Sequence, residues 1–315
     1  MKLREADERR DDEKLQFRAN GRAAWLMKPP LFTYHDPATV DEALALLAEK
    51  DNARLLAGGQ SLMPMLNFRY VLPDDVIDIN KIVELSSIQA KDGTLRIGAM
   101  TRQREIEFSD VVTTACPIMH EAILQVGHRT TRNRGTLGGS LGHLDPSAEI
   151  PTVAMAVDAT IHVRDKSGQR DVAMADFPAG YMTPSIELDE MITGATFPSW
   201  PDGHGFAFVE FSRRHGDFAI VSAAALLEID NGKVLRVSLT VGGVGPSPVR
   251  CTEAEGMIVG QTGSEDLFRD ACETCRKIDA LEDVHADKDY RQHLAAVLSR
   301  RALVKALERT EAGHA

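Results

Sequence analysis

Apolar residues recur along the chain from about residue 27 at two spacings, one typical of helices and the other of strands. Apolar positions three and four residues apart predict helices over 40–47, 115–126, 148–156, 265–278 and 287–307. Short apolar runs between turn residues predict strands at 54–57, 76–79, 95–99, 161–164, 170–173, 205–211, 219–229 and 234–242. The mixture indicates an α+β chain.

Residues that start and stop regular structure support these boundaries. Thr39 and Glu42 have the spacing of a capping box before the first helix. Pro117 suits the first turn of the second predicted helix, and Gly127 suits its C-cap. The segment 197–205 reads FPSWPDGHG, and its Pro and Gly content marks the best domain boundary.

Composition narrows the class of protein. The chain has 315 residues, with 43 % hydrophobic and 26 % charged residues, which suits a globular protein of two domains. A net charge of -11 argues against nucleic-acid binding, and the absence of a long apolar stretch argues against a membrane span. The cytoplasm is the favoured compartment, because the four cysteines are irregularly spaced and the sequence starts without a signal peptide. Residues 1–26 are interpreted as a charged extension.

Two glycine-rich stretches carry the candidate chemistry: LLAGGQSLMPML at 55–66 and RNRGTLGGSLGHLDPSAEIP at 132–151. Glycine lets backbone N–H groups approach an anion, and consecutive N–H groups form concave anion sites. Two such loops suggest a clamp on a pyrophosphate and hence a dinucleotide cofactor. Neither loop matches the P-loop of nucleotide triphosphatases or the Rossmann fingerprint.

Each motif also has a structural interpretation. The loop at 58–61 alone could be a plain strand-to-helix turn. Asp145 and Glu149 either stabilise a helix start or accept hydrogen bonds from a ribityl or ribose chain. Arg129, Arg132 and Arg134 beside the second loop could pair with a cofactor phosphate or with a protein carboxylate.

Metal and redox-thiol sites are disfavoured. His128 and His143 flank the second loop, but their spacing fits no standard zinc pattern. Cys272 and Cys275 form a lone C-x-x-C within a helical pattern, so both are interpreted as ordinary helix residues.

The order of AGGQSLMPMLNFR, VIDINKI, IGAMT, the second loop and GGVGPSPVR closely resembles the FAD-binding medium subunit of molybdenum hydroxylases. That family includes aerobic carbon monoxide dehydrogenase and bacterial xanthine dehydrogenases. The resemblance covers residues from about 27 to the C-terminus. It implies a vanillyl-oxidase-like (PCMH-type) FAD-binding domain over 27–200, in subdomains 27–82 and 83–200. A small α+β domain with a three-stranded antiparallel sheet and helices would follow over 204–310.

The resemblance also implies site residues and no catalytic acid, base or nucleophile. Both glycine loops would hold the FAD pyrophosphate, Glu149 and Asp145 would lie by the ribityl chain, and 191–192 would approach the isoalloxazine ring. The loop with Arg213, Arg214, Gly216 and Asp217 would lie near that ring. The implied cofactor-binding residues are Ala57, Gly58, Gly59, Gln60, Ser61, Leu62, Thr136, Leu137, Gly138, Gly139, Ser140, Asp145, Glu149, Met191 and Ile192.

The implied function is electron transfer within a heterotrimer. A large subunit would carry molybdopterin, and a small subunit would carry two 2Fe–2S clusters that pass electrons to FAD on this chain and on to an external acceptor. A dimer of such heterotrimers is expected. The alternative is a free-standing FAD-dependent oxidoreductase of the same cofactor fold. The substrate stays open, and so does the acceptor among quinone, cytochrome, oxygen and NAD. Ile220 stands where animal xanthine oxidoreductases have a lysine.

Overall fold

The computed structural model describes residues 27–312, so the extension predicted at 1–26 lies outside the described residues. The helices are α1 (Val40–Glu49), α2 (Leu62–Asn67), α3 (Gln103–Glu107), α4 (Asp110–Ala115), α5 (Pro117–Ile123), α6 (Arg129–Arg132), α7 (Leu137–His143), α8 (Glu149–Ala156), α9 (Thr252–Ile258), α10 (Glu265–Cys272) and α11 (Lys288–Ala312). The strands are β1 (Thr33–His35), β2 (Ala53–Leu56), β3 (Asp75–Asp78), β4 (Ile88–Lys91), β5 (Thr94–Gly98), β6 (Thr160–Arg164), β7 (Gln169–Ala173), β8 (Pro178–Gly180), β9 (Thr183–Pro184), β10 (Met191–Pro198), β11 (Gly205–Phe211), β12 (Val221–Asp230), β13 (Lys233–Gly242) and β14 (Val249–Arg250). Short 3-10 helices lie at Val83–Leu85, Met174–Asp176 and Glu273–Lys277.

The first sheet is parallel, with the order β1-β3-β2, and α1 connects its first two strands in the chain. The predicted stripe of α1 is buried. Its start differs from a full capping box. The Thr39 hydroxyl accepts from Glu42 N at 3.2 Å, but the Glu42 carboxylate accepts from Ala38 N rather than from Thr39. Because the strands are parallel, β2 and β3 both end at the same edge of the sheet.

The second sheet is antiparallel, with the order β4-β5-β10-β6-β7. The predicted hairpin of β6 and β7 is confirmed. The helix predicted over 115–126, with Pro117 in its first turn, is confirmed as α5, which ends three residues earlier than predicted, whereas α4 before it was not predicted. Cys116 separates α4 from α5, which begins at Pro117 because proline lacks the N–H that would continue the preceding helix. Gly127 follows the end of α5 with φ +45°.

The third sheet has the order β11-β12-β13-β14. It contains the three long antiparallel strands predicted from the sequence, and the structure adds the two-residue strand β14 at one edge. On β12, Ala224 and Leu226 join the core cluster that contains α5, α7 and α8, while Ala223 and Ala225 join the cluster that contains α11. Because both faces of β12 are covered, its sequence is continuously apolar from Ala223 to Leu227 rather than alternating.

A half-buried carboxylate joins this C-terminal sheet to the helices before the second glycine loop. Glu121 on α5 accepts hydrogen bonds from Phe208 N at 3.0 Å and from the side chains of Lys305 and Arg309. Burial raises the pKa of Glu121, but the hydrogen bonds from Arg309 and Lys305 outweigh burial and hold that pKa below its ordinary value. The parallel sheet, the antiparallel sheet and the C-terminal α+β unit together confirm the predicted fold class. Every helix within 27–312 is too short or too polar to serve as a membrane span.

Candidate functional site

The first glycine loop leaves β2 at the carboxyl edge of the parallel sheet and enters α2. Met63 N donates to Gly59 O at 3.2 Å. Within the described residues 27–312, none of the five preceding N–H groups, from Gly58 to Leu62, donates a hydrogen bond. Gly59 adopts φ +71°, which turns the chain so that successive N–H groups point to one side. Five consecutive free donors form a nest of the kind that binds anions.

The second loop differs from the sequence expectation that both loops expose N–H groups. Leu137 N donates to Thr101 O, Gly138 N to Ala99 O, and Gly139 N to the Thr136 hydroxyl at 3.0 Å. Its N–H groups are therefore committed to holding the start of α7 against the β5–α3 segment. The loop offers hydroxyl groups instead, because the Ser140 side chain has no hydrogen-bond partner in the part of the chain that the structure describes.

The two loops touch each other, although the sequence separates them by more than seventy residues. A Cβ atom on Gly58 would lie 2.4 Å from the carbonyl oxygen of Arg134, and one on Gly139 would lie 3.8 Å from Ala57 Cβ. Gly58 is thus required for close packing of the two loops. An open cleft of about 410 Å³ lies beside this contact. It is lined by Leu56, Gly58, Gly59, Gln60, Met63, Pro64, Asn67 and Arg134.

The arginines near the second loop divide between the two roles that the sequence left open. Arg132 pairs with the buried carboxylate of Glu107, with Nε to Oε2 at 3.0 Å, and so has a structural role. Arg134 lines the cleft, and it forms no salt bridge within residues 27–312. Its guanidinium is available to an anion.

The two acids after the second loop differ in their surroundings. Asp145 Oδ1 accepts from Ser147 N at 2.9 Å, which stabilises the turn into α8. Glu149, the first residue of α8, is only 8 % exposed. Burial, the charge of Glu210 and the charge of Asp145 raise the pKa of Glu149 to about 8. Sequence reasoning missed Glu210 on β11, whose pKa burial raises to about 7 and whose Oε2 has no partner among the described residues.

Met191 and Ile192 begin β10, the central strand of the antiparallel sheet. Met191 is fully buried in the core of the first subdomain, beside residues of α1 and β3. Ile192 reaches the second loop, because a Cβ on Gly142 would lie 3.4 Å from Ile192 Cδ1. A register shift between Ile192 and Gly194 breaks the pairing with β6 at this point. Of the two residues predicted near the ring, Ile192 therefore contacts α7, and Met191 lies in the core of the first subdomain.

A loop of the C-terminal domain also approaches the second glycine loop. Gly216 has φ +87°, and a Cβ there would lie 2.4 Å from the His128 ring, directly before α6. Arg213 contacts His285 within its own domain, with Nη1 to Nδ1 at 3.2 Å. The four cysteines are buried, and no group of three or more His, Cys, Asp or Glu side chains within 27–312 is arranged to hold a metal ion.

Sequence reasoning also missed two residues that join the loops, Arg102 and Asn80. Arg102 donates to the carbonyl of Arg134, and Asn80 donates to the carbonyl of Ala57 at 2.9 Å. No local signal distinguishes them, because Asn80 follows a strand and Arg102 precedes a short helix like many polar residues.

A nest of free N–H groups opposed by a second glycine loop defines a protein that binds a phosphorylated cofactor. The family described as "FAD binding domain in molybdopterin dehydrogenase" matches residues 30–200, and "CO dehydrogenase flavoprotein C-terminal domain" matches residues 206–306. The chain belongs to this family, the FAD-binding medium subunits of molybdenum-containing dehydrogenases, as its resemblance predicted. Electron transfer through FAD is consistent with membership.

Individual relatives agree over nearly their whole length. The 6-hydroxypseudooxynicotine dehydrogenase complex subunit alpha of Paenarthrobacter nicotinovorans is 40 % identical over 90 % of this chain and 97 % of its own. The carbon monoxide dehydrogenase medium chain of Hydrogenophaga pseudoflava is 32 % identical over 88 % of this chain and 97 % of its own. A solved structure of carbon monoxide dehydrogenase from that organism, lacking the Mo-pyranopterin moiety of the molybdenum cofactor, matches with a TM-score of 0.87 and 33 % identity, covering 89 % of this chain and 99 % of the other.

Proposed function

We propose that this chain is the FAD-carrying electron-transfer subunit of a heterotrimeric molybdenum hydroxylase. Its partners would be a large molybdopterin subunit and a small subunit with two 2Fe–2S clusters, as the relatives named medium chains and complex subunits suggest. Bound FAD would supply the redox chemistry, taking electrons from the clusters and passing them to an external acceptor. The residues of this chain bind, orient and shield the cofactor. The single observation that carries the proposal is the run of five unpaired N–H groups from Gly58 to Leu62.

The pyrophosphate fits between the two loops on chemical grounds. Its negative charge matches the N–H nest of Gly58–Leu62 and the unpaired guanidinium of Arg134. The hydroxyls of Thr136 and Ser140 are available as donors from the opposite side, because each hydroxyl hydrogen has no acceptor within 27–312. The family-derived residues Ala57–Leu62 and Thr136–Ser140 are accordingly assigned to the pyrophosphate.

The ribityl chain and the ring are assigned to the neighbouring groups. Ribityl hydroxyls would donate to carboxyl oxygens of Glu149 and Asp145. The Glu149 carboxyl group is protonated at neutral pH, since its pKa is raised to about 8, and it has no side-chain partner among the described residues. The isoalloxazine would lie by backbone groups of Met191 and Ile192, where the break in β10 pairing leaves room for contacts outside the sheet. Water would be excluded at this end by the packing of the C-terminal sheet on α8.

The remaining assignments follow the same family resemblance. The FAD-binding domain is assigned to 27–200, with subdomains 27–82 and 83–200, and the C-terminal domain to 204–310. The assembly is assigned as a cytoplasmic dimer of heterotrimers. Its external acceptor would be a quinone, a cytochrome, oxygen or NAD.

The test is a visible absorption spectrum and metal analysis of the chain purified natively without added cofactor. Flavin bands together with iron and molybdenum support the electron-transfer subunit. Flavin without metals, with substrate turnover by the isolated chain, would replace the proposal by a free-standing FAD-dependent oxidoreductase. Folded protein that takes up no FAD when the cofactor is added would overturn the site assignment.

A further inference from the structure

Two side chains, Arg102 and Asn80, connect the two glycine loops through hydrogen bonds. Arg102 lies just after β5, and its Nη1 donates to the carbonyl of Arg134 in the second loop at 2.5 Å. Its Nη2 donates to Asn80 Oδ1, also at 2.5 Å. Asn80 in turn donates through Nδ2 to the carbonyl of Ala57 in the first loop at 2.9 Å. The planar fork of the guanidinium suits this double attachment, because its donors have fixed relative directions.

Asn80 is itself held in one orientation. Asp78 Oδ1 accepts from Asn80 N at 2.9 Å and from Asn80 Nδ2, while the Tyr34 hydroxyl donates to Asp78 Oδ2 at 2.7 Å. The chain of hydrogen bonds thus runs from β1 through the end of β3 to both loops. Because a peptide unit is planar and trans, fixing the Ala57 carbonyl towards Asn80 directs the Gly58 N–H to the opposite side, into the cleft.

The carbonyl oxygen of Arg134 is confined from two directions. Arg134 O accepts from Arg102 on one side and lies 2.4 Å from where a Cβ of Gly58 would be on the other. Arg102 and Arg134 also place two positive charges at this point, and neither forms a salt bridge within residues 27–312. Burial and the neighbouring Arg134 lower the pKa of Arg102. Glu105 and Asp78 lie close enough to offset part of this charge, but two neighbouring guanidinium groups without an ion-pair partner still favour an anion in the cleft.

We propose that Arg102, acting through Asn80, is the positioning residue that sets the separation of the two loops and thereby selects a dinucleotide flavin over FMN. The inference rests on the proposed FAD site. A pyrophosphate contacts both loops, so its binding depends on their separation, whereas the single phosphate of FMN can be held by the first loop alone. Arg102 touches neither the reacting ring nor its substrate in this assignment.

The experiment measures FAD and FMN dissociation constants by flavin fluorescence, using the full chain stripped of cofactor. The variants are Arg102→Met, Asn80→Ala and the double variant, with Arg96→Met on the exposed face of β5 as the matched control. Arg102→Met should weaken FAD binding about 10- to 100-fold, as expected for losing hydrogen bonds of a charged donor. FMN binding should change less than about threefold. The double variant should bind FAD no more weakly than Arg102→Met, because both residues act in one chain of hydrogen bonds. Arg102→Lys should recover part of the FAD affinity.

The alternative outcomes are distinct. Equal losses for FAD and FMN, or additive losses in the double variant, would overturn the positioning role in favour of general destabilisation. Wild-type FAD affinity in Arg102→Met would also overturn it while leaving the proposed function intact. Wild-type chain that binds no FAD would instead refute the proposed function. The thermal midpoint of each cofactor-free variant, compared with that of Arg96→Met, identifies any variant that loses FAD affinity because it unfolds. If Arg102→Met is such a variant, the FAD and FMN affinities of Asn80→Ala decide the positioning role.

Discussion

The carboxyl group of Glu149 should make the flavin-free chain less stable as pH rises. Its pKa is raised from 4.5 to about 8 by burial first, then by Glu210 and Asp145. Between those two pH values the folded state binds more protons than the unfolded state. Ionisation therefore destabilises the fold as pH increases through this window. Stability is fully retained below the unfolded pKa and declines as pH approaches the folded pKa.

The magnitude follows from the size of the shift. One pKa unit corresponds to about 1.4 kcal/mol, so a site that titrates alone would lower the free energy of unfolding by about 3 kcal/mol between pH 4.5 and pH 7. Glu149→Gln removes this term but buries a neutral amide without partners, which opposes the gain by about 1 kcal/mol or more. We expect a net stabilisation of about 2–3 kcal/mol at pH 7.5 and a destabilisation of about 1 kcal/mol at pH 4.5, where only the cost of the amide remains.

The assay is urea unfolding of the flavin-free chain at several pH values between 4.5 and 8, for wild type and Glu149→Gln. The control is Glu228→Gln, which removes a carboxylate from β12 and should keep the wild-type pH dependence. Glu210→Gln should reduce the pH dependence in the same direction, because it removes one charge that raises the Glu149 pKa. A Glu149→Gln curve parallel to that of wild type would refute the assignment of the slope to this carboxyl group.

Three further changes test the loops and the domain contact. Gly139→Val places its Cβ 2.8 Å from the Thr136 hydroxyl and should empty the flavin site. The control Gly142→Ala, with its nearest contact at 3.4 Å, should keep FAD. Full FAD occupancy in folded Gly139→Val protein would contradict the assignment of this loop. Gly58→Ala forces a backbone carbonyl to move and should weaken FAD binding by about 1–3 kcal/mol in a titration, and unchanged affinity would argue against loop contact as the reason for glycine. Glu121→Ala should lower the free energy of unfolding by about 2–3 kcal/mol at pH 7. The loss should be smaller below pH 4, because the wild-type carboxylate loses its charge as pH falls through its lowered pKa. An equal loss at both pH values in urea unfolding would show that charge is not the cause.

Local spacing predicted five of the eleven helices and eight of the fourteen strands within residues 27–312, but it missed β10, the central strand of the antiparallel sheet. The stripe of α1, the hairpin of β6 and β7, and the three long strands of the C-terminal sheet follow from apolar intervals of three to four or from short apolar runs. Each of these signals depends on neighbours in the chain. The same reasoning did not predict α4, which ends at Ala115 because Pro117 cannot donate the hydrogen bond that would continue it.

The amino-acid sequence by itself also determined that two glycine loops exist and that an acid follows the second. The family of the chain could be predicted from the order of these motifs. Which atoms are free to bind a cofactor was decided by tertiary packing. The N–H groups of the second loop are occupied by the carbonyls of Ala99 and Thr101, while those of Gly58–Leu62 are not. Tertiary packing brings Arg102 to the second loop, and it brings Glu210 close enough to Glu149 to raise the Glu149 pKa. Such contacts depend on how sheets and helices pack together, and no local pattern of residues encodes them.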